Sequence, residues 1–198
     1  MKTIHEPVYE RRIAVLAEML VPHLQPGFDV LDVGCGSGML GERVLNHPEC
    51  PSDVRYRGLE KSKRGNEPIE VIEYHSGAFP FEDDAFDVVI LADVLHHEQN
   101  EAFLLSEAAR VSNDLLVIKD HKKEGFLGYW RICFLDWVAN NPYQVPCLYR
   151  YHTEGEWHSI FKELDFNLIR EEKSIDLYPP LLNQVFGKRL QYYAVLQK

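Results

Sequence analysis

Val30-Leu31-Asp32-Val33-Gly34-Cys35-Gly36-Ser37-Gly38 is an apolar run that stops on alternating glycines. The run reads as a buried strand. Glycines at its end let the backbone turn tightly and approach a ligand within van der Waals contact. A helix carrying Leu40, Val44 and Leu45 is expected to follow. The window Gly36-Ser37-Gly38-Met39-Leu40-Gly41 also satisfies the dinucleotide pattern G-x-G-x-x-G, and Glu60 follows at a spacing suited to ribose hydroxyls. Together these residues imply an adenosine-containing cofactor without saying which one.

Asp32 separates the two readings. In a dinucleotide site the glycines follow the strand at once and present helix N–H groups to a pyrophosphate. Here a carboxyl group stands two residues before Gly34, and the frame that begins at Gly36 starts late. A carboxylate at that place repels a pyrophosphate and favours an ammonium or sulfonium charge.

Working outward, strands are expected over Phe28–Val33, Arg55–Glu60, Ile69–Tyr74, Phe86–Leu91, Leu115–Lys119, Asn167–Glu171 and Gln191–Leu196, alternating with helical stretches. Residues 8–20 place Tyr9, Ile13, Leu16, Ala17 and Leu20 on one helical face, and Glu101–Val111 does the same with Leu104, Leu105, Ala108 and Val111. Thr153-x-x-Glu156 is a capping box in front of Trp157, Ile160, Phe161 and Leu164. This rhythm predicts an α/β fold, a Rossmann-like seven-stranded, mostly parallel sheet with helices on both faces. One segment departs from it. Phe126–Ala139 is apolar around most of a helix, so it is expected either to be fully buried or to cover an apolar ligand, with an irregular lid over Asn140–Tyr151.

A second stretch, Phe79-Pro80-Phe81-Glu82-Asp83-Asp84-Ala85-Phe86-Asp87 leading to Asp93-Val94-Leu95-His96-His97, stands at the right distance from the first. The two motifs together resemble the class I S-adenosylmethionine-dependent methyltransferases, in the branch that acts on small molecules. The resemblance runs from about residue 28 to 119, with a family-like end over 153–172. It implies one domain over 1–198, with an N-terminal helix in 1–25 and a helical or lid insertion over 122–151 on the substrate side. The cofactor it implies is S-adenosylmethionine. Asp32, Gly34, Cys35 and Gly36 would line the methionine part, Glu60 would hold the ribose diol, and Ala92 and Asp93 would lie beside the amino-acid end. The acid that the family usually places before the Pro-Phe block is His75 here, so Ser76, Gly77 or backbone N–H groups would take over the adenine contact.

The reaction such a fold implies is in-line methyl transfer to a small, apolar or aromatic acceptor, with the protein aligning the nucleophile. His97 and His121 are the candidate bases, since an imidazole titrates near neutral pH; the competing reading makes each a cap or a packed side chain. Tyr9 and Arg12 of the first helix, with Tyr129, Trp130, Phe134, Trp137, Tyr143 and Tyr149, would form the acceptor side. The alternative use of these aromatics is packing on the sheet or a homodimer interface. Asp87 reads as structural, and Cys35 as a small residue without redox chemistry. The remaining histidines show no metal-ligand spacing, so no metal is expected.

Composition limits the partners. With 21 Lys and Arg against 31 Asp and Glu, the net charge of −10 argues against nonspecific nucleic-acid binding. No apolar run approaches the roughly 20 residues that cross a bilayer, and the opening MKTIHEPVYERR lacks a secretory signal pattern. Cys35, Cys50, Cys133 and Cys147 form no C-x-x-C pair, which points to reduced thiols in the cytoplasm. Two other functions fit the same residues: a noncatalytic cofactor-binding protein that kept the fold, and an NAD(P)-dependent oxidoreductase. The motifs speak for the cofactor; they leave open the acceptor atom and the need for a base.

Overall fold

The computed structural model describes residues 2–140, 147–186 and 188–198. Its strands are β1 (Asp29–Val33), β2 (Arg55–Glu60), β3 (Glu70–Glu73), β4 (Phe86–Ala92), β5 (Ser112–His121), β6 (Asn167–Glu172) and β7 (Gln191–Gln197). They form one seven-stranded sheet in the order β3-β2-β1-β4-β5-β7-β6. The first five strands run parallel, and β7 is antiparallel to both β5 and β6. The sequence expectation of a mostly parallel, Rossmann-like sheet therefore holds.

Alternation along the strands divides the core. Val89, Leu91, Leu116 and Ile118 face α3 (Glu101–Val111) and α5 (Glu154–Glu163). Val88, Ile90, Leu115 and Val117 face α1 (Lys2–Leu20) and α2 (Met39–Leu45). A strand buried on both faces must be apolar throughout, which is why FDVVIL is so clear a strand in the sequence. The helix ends follow local chemistry. The Thr153 hydroxyl accepts from Glu156 N at 3.2 Å while the Glu156 carboxylate accepts from Thr153 N at 2.6 Å, completing the capping box. The Pro-Phe block is pinned by Glu107, whose carboxylate accepts from Phe79 N at 2.6 Å, and by Arg110, which donates to the Phe81 carbonyl at 2.9 Å.

Two elements differ from the sequence reading. His96 and His97 lie in a single 3-10 turn, Leu95–His97, rather than at the start of a helix; α3 begins only at Glu101, capped by the Asn100 side chain. The segment over Phe126–Ala139 forms α4 (Gly128–Asn140), but it is neither fully buried nor laid over the cleft. It buries a narrow face carrying Ile132 and Asp136, and leaves Trp130, Phe134 and Trp137 exposed. The Asp136 carboxylate accepts from the Tyr151 hydroxyl at 2.6 Å, so a polar contact joins the apolar packing of Ile132 on Tyr151 and Leu190 in fixing the helix orientation. The short helix α6 (Pro180–Phe186) begins on the second proline of a Pro-Pro pair and has too few turns to show a periodic pattern. Residues 141–146 of the expected lid, Tyr143 among them, lie outside the described residues.

The glycine corner depends on β2. An ideal Cβ on Gly58 would stand 2.3 Å from Cys35 Sγ and 3.2 Å from Val71 Cγ2, so only glycine lets the loop lie against the strand. Gly58→Ala should lower stability by about 2 kcal/mol, read from urea denaturation. Adding Cys35→Ala should recover part of the loss, and a double variant no better than the single one would mean that the clash lies elsewhere.

Candidate active site

The sheet order reverses between β1 and β4, and such a reversal opens a crevice at the carboxyl ends of the strands. A cleft of about 1180 Å³ lies there. All nine residues expected at the cofactor (Asp32, Gly34, Cys35, Gly36, Glu60, Ser76, Gly77, Ala92 and Asp93) line it, as do His97, Tyr9 and Arg12.

The loop geometry follows from the glycines. Gly34 and Gly36 have φ values of +72° and +58°, in the left-handed region that side chains rarely adopt. A Cβ on Gly34 would also strike Val94 Cγ2 at 2.5 Å, so this glycine lets the loop pass close to the chain leaving β4. At Gly36 the space is open, with only Arg64 Nη2 at 3.8 Å, and bare backbone faces the cleft. Gly36 N donates to Glu60 Oε2 and Lys61 N to Glu60 Oε1, both at 2.7 Å. The Glu60 carboxylate is thus held at the end of β2, beside the loop.

Asp32 is buried, and its carboxylate accepts from the Tyr56 hydroxyl at 3.1 Å. Burial pushes its pKa up to about 7. Burial likewise raises the Cys35 thiol, so a neutral thiol stands at the turn. An open glycine backbone, a buried acid and a carboxylate at the tip of β2 thus share the cleft. The exposed residues His75, Ser76 and Gly77 form the outer rim.

Asp93 occupies the centre of the floor, with a φ of +57° that is uncommon outside glycine. Lys119 Nζ donates to its two carboxylate oxygens at 2.5 and 2.6 Å, and Arg12 donates from α1. Burial opposes the Asp93 charge, but Arg12 and Lys119 together hold the carboxyl well below its ordinary range. Burial brings Lys119 down to about 8. The Tyr9 hydroxyl lies 3.2 Å from Ser37 Oγ, joining α1 to the glycine loop as well.

The two candidate bases separate. His97 lines the cleft. His121 lies behind it, with Nε2 3.6 Å from Asp93 Oδ1 and Nδ1 buried without a hydrogen bond. Burial depresses its pKa to about 3, which makes it a poor proton acceptor. The expected aromatic wall is also redistributed. Leu148 lines the cleft, whereas Tyr129, Trp130, Phe134, Trp137 and Tyr149 are outside the lining and largely exposed. Tyr129, Trp130, Phe134 and Trp137 belong to α4, whose buried face carries Ile132 and Asp136 and turns those rings away from the cleft. Three residues that sequence reasoning left without a role are central: Lys119, Asp120 and Asp136. A charged Lys-Asp pair continuing the apolar run of β5 was the available signal for the first two.

Lys119→Met keeps the volume but removes the deepest cation, and should cost about 3 kcal/mol by urea unfolding at neutral pH. A loss below about 1 kcal/mol would show that Arg12 alone neutralises Asp93.

Residues 31–114 match the family model of a methyltransferase domain. The chain is 31% identical over 111 residues to the bifunctional methionine biosynthesis protein MetXA/MetW of Rhodopirellula baltica, a match covering 50% of this chain and 18% of that protein. It is 34% identical over 97 residues to the ubiquinone biosynthesis O-methyltransferase of Hahella chejuensis, covering 44% and 40%. The chain thus spans less than half the length of either relative. In fold it is similar to the 1,6-didemethyltoxoflavin-N1-methyltransferase of Burkholderia thailandensis, solved with bound 1,6-didemethyltoxoflavin and S-adenosylhomocysteine. That likeness has a TM-score of 0.66, 15% identity, and covers 100% of this chain and 84% of the other. The methyltransferase-domain match thus falls on the β1-to-β5 part of the sheet, the part that carries the glycine loop, Glu60 and Asp93.

Proposed function

We propose that the chain transfers a methyl group from S-adenosylmethionine to a small, largely apolar acceptor. The observation that carries this reading is a single cleft of about 1180 Å³ at the sheet reversal, larger than a typical site for one drug-sized ligand, about 300–1,000 Å³. It has room for cofactor and acceptor side by side. A bound sulfonium supplies an activated methyl carbon.

The chain's own residues bind, align and exclude water. Asp32 faces the positive charge, Glu60 the ribose hydroxyls, and the Gly34–Gly36 backbone the amino-acid end. Ser76 and Gly77 on the rim take the adenine contact in place of the acid that His75 replaces. Ala92 and Asp93 close the floor. Arg12 and Lys119 keep Asp93 ionised and in place. The acceptor side is formed by Tyr9, Arg12, Ile13, Leu16 and Leu148, contributed by α1 and the 122–151 segment. This arrangement supports reading residues 1–198 as one working unit. His97 is the group placed to take a proton from an acceptor hydroxyl or amine, and alignment of the acceptor can supply several kcal/mol of barrier lowering. His121 acts behind the wall as a neighbour of Asp93.

The net charge of −10 and the absence of a basic stripe in the sequence favour a small molecule over a nucleic acid. Among the described residues no helix is long and apolar enough to cross a membrane. Four free cysteines support a reducing, cytoplasmic setting.

Calorimetric titration should show binding of S-adenosylmethionine and S-adenosylhomocysteine, and none of NAD. Binding without transfer of labelled methyl to any panel of small acceptors would favour the noncatalytic reading, and NAD binding alone would overturn the proposal. Glu60→Ala should weaken cofactor affinity by at least tenfold with the fold intact; unchanged affinity removes the ribose assignment. Because Asp32 titrates near 7, cation binding requires the ionised form and loses affinity as pH falls. The affinity should drop roughly tenfold from pH 8 to 6, and Asp32→Asn should bind weakly and flatten the profile.

A further inference from the structure

The face of α4 that points away from the sheet is apolar and exposed. Trp130, Phe134, Trp137 and Val138 recur at the spacings of one helical side, opposite the buried Ile132 and Asp136. Phe126 and Leu127 adjoin this side just before the helix begins. Phe126, Trp130, Phe134 and Trp137 are 85%, 69%, 53% and 48% exposed. The rings of Phe134 and Trp137 lie side by side, with centroids 6.3 Å apart. The buried apolar cluster beneath the helix is small, built on Ile132, Tyr151 and Leu190.

The size of this surface limits what covers it. At about 200 Å² for a fully exposed ring, these fractions amount to roughly 600 Å² of apolar surface once Leu127 and Val138 are added. That is the upper end of the largest apolar patch on an ordinary monomer, about 300–600 Å². It also matches the apolar part, about 65%, of the roughly 800 Å² that each partner buries in a standard interface. A lipid surface fits less well. A helix lying on one carries Lys and Arg along its polar side, whereas α4 has Arg131 as its one cation, and the net charge of −10 opposes an anionic membrane. The order of the rings, by contrast, is symmetric. Trp130 and Trp137 stand on either side of Phe134, about 10 Å apart along the helix axis. Two antiparallel copies related by a two-fold axis beside Phe134 set the first tryptophan of each against the second of the other. No carboxylate of α4 enters the contact, because Asp136 is buried on the far side.

We propose that this face of α4 is the two-fold interface of a homodimer, in which Trp130 meets the partner's Trp137. The contact is isologous, so it closes at two copies and leaves no second apolar face to recruit a third. Burying the rings removes apolar surface from water on both chains and supplies the apolar support that α4 has little of within one chain. Tyr151, beneath the helix, lies three residues from Leu148 of the cleft lining, so pairing braces one side of the cleft from outside without adding a residue to it. The dimer is independent of the reaction carried out in the cleft. Since each chain carries a net charge of −10, the two copies repel at long range, and salt that screens this repulsion tightens the pair.

Analytical ultracentrifugation of the full chain tests this. The wild type should sediment at twice the 23.0 kDa mass of one chain, with association that strengthens as salt is raised. Trp130→Glu and Trp137→Lys change exposed side chains, so each variant should keep its circular dichroism spectrum while associating about a hundredfold more weakly. Mixed in equal amounts, the two variants should recombine into a heterodimer. One chain's new carboxylate then faces the other's new ammonium, while the remaining two tryptophans meet as before. Such rescue excludes a general loss of folding and reports the antiparallel pairing itself. A wild-type chain still monomeric at about 0.1 mM, a dimer that both substitutions leave intact, or variants that do not recombine would overturn the proposal. So would a monomer that floats with phosphatidylglycerol vesicles, which would assign the face to a lipid surface.

Discussion

The Asp93 carboxylate, clasped between Lys119 from β5 and Arg12 from α1, is the contact on which the cleft depends. Ionising a carboxyl group in such a place is costly unless cations meet it directly. Because the two cations come from different elements, the same neutralisation sets the position of α1 over the strand ends and fixes the left-handed turn after β4. Arg12 and Tyr9 then stand at the cleft. The outward course of the chain at Val94, against which Gly34 packs, follows from that turn.

Electrostatics divide the floor into two kinds of group. Near Asp93 the cations keep a carboxylate charged at every ordinary pH. At Asp32, whose side chain accepts from the Tyr56 hydroxyl, burial raises the carboxyl to the edge of neutrality. The first is a charge held by two cations and the second a carboxyl that burial alone brings close to neutral. Glu60 is a third kind, held by two backbone N–H groups at the tip of β2.

Helix α4 follows another logic. Its sequence is apolar enough for a core helix, yet the face that packs is polar at its centre, around Asp136, Tyr151 and the His96–Asp120 pair. Rings that a periodicity argument would turn toward a ligand are therefore turned outward. A helix with no dominant apolar face carries little information about its own orientation, and the partners of a single buried carboxylate decide it.

The sequence by itself determined the strands, the parallel half of the sheet, the capped helix at Thr153 and the glycine corner. Each is written in short-range signals: period-two or continuous apolar runs, a four-residue capping pattern, and glycines where φ is positive. It also marked Asp32, Glu60 and Asp93, because motif and strand-end position coincide in them. Only the tertiary structure decided that Lys119 and Arg12 share Asp93, that His97 reaches the cleft while His121 stays behind it, and that Asp136 meets His96. Those contacts join residues tens of positions apart through sheet order and helix rotation, and no local pattern encodes the distance between two side chains that meet only after the strands have paired.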